Sequence, residues 1–231
     1  MPFFDQYPRF YETSHIGNEP NRLNSRYHAL IGANLDCIQN CSVLDLGSHD
    51  GRWSFAALKA GADQVLGIEA RSDFHARAIE NFQAYSIPEG SFSFVLGDVF
   101  KQLPEVSPGS IDTVFCFGVL YCTTYHQLLL ELIANLKPKN LVLDTFVSML
   151  PDSVIELRVV ETNGDILASS SGAMLRTLLL GYPSRRAIEL MLKNAGFRFQ
   201  YFDWHRITLE DWTSLKDYQE GTRVTLRAEL A

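Results

Sequence analysis

The chemistry legible in this sequence rests on one glycine-bounded loop, two carboxylates that close apolar runs, and a turn that carries a tyrosine. Val43-Leu44-Asp45-Leu46-Gly47 passes from an apolar run into Ser48-His49-Asp50-Gly51, where Gly47 and Gly51 permit a tight turn and close backbone approach. A loop of this kind between a strand and a helix suits a nucleotide-like ligand. It lacks the GxGxxG spacing of dinucleotide binders and the GK(S/T) of phosphate loops, so a pyrophosphate is not required. Glu69 ends the next apolar run, where a carboxylate can accept two hydrogen bonds from a ribose diol, and Asp98 ends the third, where an acid could meet an adenine amino group. His49 either lies beside the ligand or shapes the loop through its own hydrogen bonds. Tyr121, His126, Asp144 and His49 follow or end strand-like runs, and each could serve as general base toward a hydroxyl, Tyr121 and His126 being preferred.

The elements that must position these residues alternate. Strand signals cover residues 42–46, 64–69, 92–96, 112–117 and 141–147. Between them, helices are expected over 52–60, closed by Gly61, over 72–85, capped by Ser72, and from Thr123 or Thr124 to Leu136, stopped by Pro138. A further helix, capped by Asn24 or Ser25, runs to about Asn40. After Pro151 the regularity breaks, and residues 154–160 and 166–169 read as two arms of a hairpin around Asn163-Gly164. Ser184 then caps a helix to Ala195, closed by Gly196, and strands follow at 197–203 and 223–229. The expected fold is α/β: a Rossmann-like seven-stranded sheet, mostly parallel with the last strand antiparallel, helices on both faces, and a small hairpin insertion. It forms one domain over 1–231: an N-terminal aromatic segment and helix at 1–41, a cofactor-binding core at 42–150, an insertion or lid at 151–182, and a C-terminal helix and strands at 183–231.

Bulk properties narrow the function classes. A net charge of −7 argues against a broadly basic nucleic-acid surface, although it leaves room for a local patch. The longest apolar run, around Leu128 to Leu130, is broken by Glu131, so no membrane span is expected. The first residues lack the basic and apolar regions of a secretory signal, and a cytoplasmic protein is the default expectation. Four cysteines, with Cys37 and Cys41 a helical turn apart, make neither a disulfide framework nor a zinc pattern. TVFCFGVLYC, at the fourth strand, offers no acidic ligand, and Asp144 alone does not meet the needs of a hard cation, so no metal is expected.

VLDLGSHDG, GIEA, LGDVF and DTVFCFGVLY, in that order and spacing over residues 43–121, resemble the successive motifs of class I S-adenosylmethionine-dependent methyltransferases. The resemblance implies that Asp45, Gly47, Ser48, His49 and Gly51 surround the methionine part of S-adenosylmethionine. It also implies Glu69 and Ala70 at the ribose, Asp98 and Val99 at the adenine, and Phe117 and Gly118 along the sulfonium, with S-adenosylhomocysteine as product. Ser48-His49 stands where the family commonly has Cys-Gly. The strand leading to GVLY, the acidic fifth strand, the PS…A…L…GF helix and a late arginine further resemble the catalytic domain of wobble-uridine tRNA carboxymethyltransferases. In that family a tyrosine and an arginine hold the extra carboxylate of a carboxylated cofactor. Tyr121 matches the tyrosine, Arg223 is the counterpart of the arginine, and Arg26 is the nearest candidate for a third basic contact.

The leading expectation is O-methylation of a small hydroxylated molecule, a sugar or secondary metabolite, by in-line displacement. The alternatives are a tRNA wobble-uridine carboxymethyl- or methyltransferase and an inactive cofactor-binding regulator. Tyr182, Arg185 and Arg223 are the candidate substrate contacts, joined by the hairpin and by Phe3, Phe4, Tyr7, Phe10 and Tyr11. Those N-terminal rings could equally pack against the domain's own helices. The oligomeric state is not legible.

Overall fold

The computed structural model describes residues 1–13, 19–161, 177–207 and 212–230. Nine strands are present among them: β1 (Ser42–Leu46), β2 (Gln64–Glu69), β3 (Phe92–Leu96), β4 (Thr113–Phe117), β5 (Asn140–Phe146), β6 (Ile155–Glu161), β7 (Thr177–Pro183), β8 (Phe197–Tyr201) and β9 (Arg223–Leu230). Seven form one sheet in the order β3-β2-β1-β4-β5-β9-β8. The first five are parallel, and β9 runs antiparallel to both β5 and β8. The order reverses between β1 and β4, so the crevice at the carboxyl ends of these strands is the place where an open α/β sheet receives a ligand.

The helices are α1 (Arg9–Glu12), α2 (Pro20–Leu30), α3 (Arg52–Lys59), α4 (Ser72–Ala84), α5 (Val99–Gln102), α6 (His126–Asn135), α7 (Arg185–Asn194) and α8 (Lys216–Gln219). Alternate residues of the central strands feed two cores. Leu44, Leu46, Val114 and Cys116 face Leu129, Leu130 and Ile133 of α6 and Ile188 and Leu192 of α7. Val43, Phe115, Phe117 and Val142 face α2, α3 and the N-terminal segment. Sheet residues buried on both faces read as near-continuous apolar runs, which is the pattern of parallel strands.

Several boundaries differ from the expectations, each for a local reason. Helix α2 starts at Pro20, whose fixed φ suits the first helical position, and not at Asn24 or Ser25. Asn24 instead accepts a hydrogen bond from the Phe4 N–H at 2.8 Å. The helix stops at Leu30, because Asn34 leaves helical φ/ψ and its amide donates to the Ala29 and Leu30 carbonyls, and a 3₁₀ stretch (Gly32–Cys37) follows. Ser72 is the first residue of α4, so the cap position falls to Arg71, whose side chain makes no cap hydrogen bond. Helix α6 starts at His126, after Thr123 Oγ1 has accepted from the Tyr125 N–H. At α7 the expected cap is present: Ser184 Oγ accepts from the Ala187 N–H.

The hairpin's first arm is β6, and its partner is β7, an antiparallel ladder from Ile155↔Pro183 to Glu161↔Thr177. The expected second arm at 166–169 and the turn at Asn163-Gly164 lie outside the described residues. The N-terminal rings belong to the core and not to a substrate mouth. Phe4 and Phe10 are fully buried, Phe3 stacks on Tyr27 at 4.1 Å, and Tyr7 and Phe10 pack on Phe55 of α3 and on Tyr85. No helix among the described residues is long and apolar enough to cross a membrane.

Candidate active site

Strand β1 delivers Asp45 to the carboxyl edge fully buried, with its Oδ2 accepting from Ser54 Oγ of α3 at 2.7 Å. Burial pushes its carboxyl up to about 7, against the Ser54 hydrogen bonds, while the neighbouring Glu69 and Asp50 charges push it further the same way. The loop then turns through three left-handed residues, Gly47 (φ +63), His49 (φ +54) and Gly51 (φ +80). A Cβ on Gly47 would stand 2.8 Å from Val119, so the backbone there passes too close to the turn after β4 for any side chain. The conformation of His49 explains its part: its backbone N–H donates to Glu69 Oε2 at 2.8 Å, and the Arg71 N–H holds the other oxygen at 2.8 Å. Glu69 is thus locked at the end of β2 with lone pairs left for a diol.

His49 shapes the loop through its backbone N–H. Its ring lies 3.5 Å from that of Phe74 and its Nδ1 stands 3.3 Å from Asp50, while Nε2 is buried without a hydrogen-bond partner. Ser48 Oγ is likewise buried and unpartnered. Asp50 accepts from Arg52 and from Thr13 Oγ1 at 2.5 Å, and the Arg52 charge, with the His49 ring beside it, keeps its carboxyl well below the usual range despite burial. Asp98 caps α5 by accepting from the Phe100 N–H, and it lies half-buried with Ala70 and Val99 along the same edge.

A second cluster closes the other end of the crevice, and Asp144 of β5 is its centre. Register puts Phe117 opposite Asp144, and the Gly118 N–H donates to the Asp144 backbone carbonyl at 2.8 Å. Asp144 is fully buried. Its Oδ1 accepts from Arg223 Nε at 2.7 Å, from Arg223 Nη2, and from Arg26 Nη2 at 2.9 Å. Its Oδ2 accepts from Tyr218 Oη at 2.9 Å and Thr225 Oγ1 at 2.8 Å. Burial alone would raise this carboxyl, but the Arg223 and Arg26 charges outweigh it and hold it down to about 2. Two guanidiniums therefore share one carboxylate, and Arg26 Nε is buried without a partner. Arg26 lies over the Trp53 ring and Arg223 over the Phe146 ring.

Tyr121 faces this cluster, its ring 5.0 Å from Phe146 and 5.4 Å from Tyr182. Burial drives its phenol pKa upward, so at neutral pH it is a hydrogen-bond donor and a poor base. His126 is not solvated: it is buried beneath β7 and its Nε2–H donates to the Gly181 carbonyl at 2.8 Å. A Cβ on Gly181 would run into that imidazole and the Thr123 carbonyl, so His126 seats the hairpin and its Nε2 proton is committed. Tyr182 and Arg185 meet different neighbours. Tyr182 joins Tyr121, Phe146 and the Arg158 guanidinium, whereas Arg185 is exposed over Tyr201 at the rim of a cavity of about 370 Å³ that Trp204, His205, Tyr218 and Arg223 also line. Tyr218 and Phe146 were not singled out in the sequence. Phe146 follows the acidic residue of the fifth strand by two and was open to the same reasoning, whereas Tyr218 sits in a short helix with no pattern to reveal it.

Among the described residues no group of three or more His, Cys, Asp or Glu side chains is arranged to hold a metal ion. The crevice is polarised: three carboxylates, Asp45, Asp50 and Glu69, gather at the β1–β2 end, and an excess guanidinium charge lies at the β5–β9 end.

Comparison with known proteins agrees with this architecture. A profile of the methyltransferase domain matches residues 43–139. The chain is 27% identical over 197 residues to a tRNA U34 carboxymethyltransferase of Idiomarina loihiensis, covering 83% of this chain and 56% of that protein. It is 32% identical over 193 residues to a tRNA U34 carboxymethyltransferase of Pseudomonas syringae pv. syringae, covering 78% and 55%. The chain thus spans about half the length of the curated relatives it matches. In structure it is similar to an S-adenosylmethionine-dependent methyltransferase from Listeria monocytogenes, with a TM-score of 0.70 at 13% identity, over 92% of this chain and 100% of that one. The relatives' names favour the tRNA alternative over the small-molecule expectation. The chain carries a class I S-adenosylmethionine-dependent methyltransferase domain on the fold of that family, and in sequence it resembles the tRNA U34 carboxymethyltransferases.

Proposed function

We propose that this chain binds an S-adenosylmethionine-type donor bearing an extra carboxylate and transfers a carboxymethyl group to a wobble uridine of tRNA. One observation carries the reading: Arg26 and Arg223 converge on a single buried carboxylate, Asp144, leaving a net positive charge and an unpartnered Arg26 Nε. A buried guanidinium N–H without a partner is costly, and a ligand carboxylate brought to it removes that cost. The opposite end of the crevice, with Asp45 pushed up to about 7 among acidic neighbours, suits the positively charged groups of such a donor. The residues fit the cofactor in shape as well, since the glycine-only approach at Gly47 and the orphaned Ser48 Oγ leave a polar cradle beside Glu69.

When bound, the donor would supply a carboxymethyl group activated on a sulfonium. The chain's own contribution is placement: Glu69 orients a diol, Arg26 and Arg223 orient a carboxylate, and Tyr121 donates a hydrogen bond from beside them. None of these side chains serves readily as a base, and in-line displacement then depends chiefly on orientation.

Calorimetry with S-adenosylmethionine and its carboxylated analogue tests the proposal. A charge-assisted hydrogen bond is worth about 1.5–3 kcal/mol, so the carboxylated donor is expected to bind about 10- to 150-fold tighter, with the preference lost in Arg26→Met. Equal affinities for the two donors would remove the proposal's support. A second reading, O-methylation of a small hydroxylated molecule, draws on the net charge of −7, which opposes a polyanionic partner. Preference for the plain donor, with methyl transfer to a metabolite panel and none to tRNA, would establish it instead.

A further inference from the structure

Among the described residues the hairpin presents an unpaired edge. Among the described residues β6 pairs with β7 alone. The Ser184 N–H donates to the Val154 carbonyl one step before the Ile155↔Pro183 pair. The alternation of an antiparallel ladder therefore turns the backbone groups of Glu156, Arg158 and Val160 toward β7, and those of Ile155, Leu157 and Val159 away from it. Natural edge strands are commonly protected by lysine, proline or a bulge, and residues 155–161, Ile-Glu-Leu-Arg-Val-Val-Glu, contain neither lysine nor proline and keep an unbroken register. One face of this edge is apolar and exposed: Ile155, Leu157, Val159 and, opposite Val159, Leu179.

The sequence of β6 is complementary to itself when run antiparallel. Centred on Leu157, a two-fold pairing sets Leu157 opposite Leu157, Ile155 opposite Val159, Val154 opposite Val160, and Glu156 opposite Arg158. Apolar residues meet apolar ones on one face and opposite charges meet on the other. A centre one residue away in either direction brings Glu156 onto Glu156 or Arg158 onto Arg158. Glu156 and Arg158 already lie 3.0 Å apart within one chain, so the two-fold would extend that pair into a four-charge ladder.

We infer that β6 is a homodimerisation edge, joining a second copy of this chain through an antiparallel β6–β6 pair centred on Leu157 to make a four-stranded sheet from two hairpins. The interface is isologous, as a two-fold requires, and it covers apolar side chains that are otherwise in water. The inference does not depend on the donor or acceptor proposed above.

Sedimentation velocity from about 5 to about 200 µM is expected to show a species of twice the chain mass that grows with concentration. Leu157→Cys, mildly oxidised, is expected to cross-link to itself, because opposed residues of a hydrogen-bonded pair stand about 5.5 Å apart, within disulfide reach. Val159→Cys is not, because the two copies of residue 159 lie four residues out of register, about 13 Å apart. Unsubstituted protein, treated identically, controls for the four native cysteines. Arg158→Glu should weaken association at least about tenfold, and adding Glu156→Arg should restore it by exchanging the charges. A monomer throughout the concentration range overturns the inference. So does cross-linking at residue 159 equal to that at 157, or association indifferent to Arg158→Glu.

Discussion

Replacing Asp144 by asparagine keeps the shape of the side chain and removes the carboxylate that Arg26 and Arg223 share. The wild-type group accepts five hydrogen bonds, three from guanidinium nitrogens and two from the hydroxyls of Tyr218 and Thr225. In Asp144→Asn one amide face becomes a donor, so either the guanidiniums or the two hydroxyls meet a hydrogen where they found an oxygen. Breaking a buried pair by removing one partner costs about 3–5 kcal/mol. Arg26 retains some exposure and can relax toward water, which argues for the lower end, about 3 kcal/mol. At about 2–4 °C per kcal/mol for a chain of this size, the melting temperature should fall by about 6–12 °C at pH 7. The sign of the pH dependence follows from the depressed carboxyl. Asp144 is held down to about 2 against an ordinary 3.8, so its stabilisation is present above pH 4 and is lost as pH falls through about 2. That contribution is about 2 kcal/mol, and the gap between wild type and variant should narrow by this much on acidification. Differential scanning calorimetry across this pH range measures both quantities. A variant that melts within about 2 °C of wild type at pH 7 would refute the assignment of Asp144 as the charge that holds the two arginines together.

Two further outcomes follow from other parts of the molecule. Asp45, raised to about 7, adds stability that is present below its ordinary 3.8 and lost as pH rises through 7, and it must shed a proton before it can accompany a positively charged group. Donor affinity should therefore rise between pH 6 and 8 in wild type and stay flat in Asp45→Asn, and a pH-independent wild-type titration would contradict this. Phe10→Ala, a fully buried ring packed on Phe4, Phe55 and Tyr85, should cost about 3–5 kcal/mol by urea unfolding, with donor affinity changed by less than about twofold. A large loss of affinity with little loss of stability would return the N-terminal rings to the substrate side.

The seven-stranded sheet was legible because its central strands are buried on both faces, so their apolar runs stand out against helices closed by Gly61 and Gly196. The polar residues of the crevice were legible for the same reason, since Asp45, Glu69, Asp98 and Gly118 stand at the ends of those runs. Arg26 and Arg223 were found through resemblance, and that both would share Asp144 could not be read from positions 118 and 79 residues away from it. The N-terminal rings have no period, so nothing in their spacing distinguishes a ligand face from a core face, and packing on α3 decided it. The seating of His126 under the hairpin was not legible because it depends on Gly181, where the absence of a Cβ lets an imidazole fit under a strand. β7 went unread as a partner of β6 because Asn163-Gly164, a favoured tight-turn pair, drew the expected second arm to 166–169.

The Asp144 cluster draws on four elements of the chain: α2, β5, α8 and β9. Contacts of such sequence separation form late, since each loop must close before its bond contributes. A growing polypeptide with α2 and β1 to β5 in place would already own the acidic end of the crevice, yet would offer Asp144 only the Arg26 guanidinium until Arg223 emerges and β9 inserts beside β5. The guanidinium in excess of the carboxylate thus arrives only with the last strand of the chain to be made.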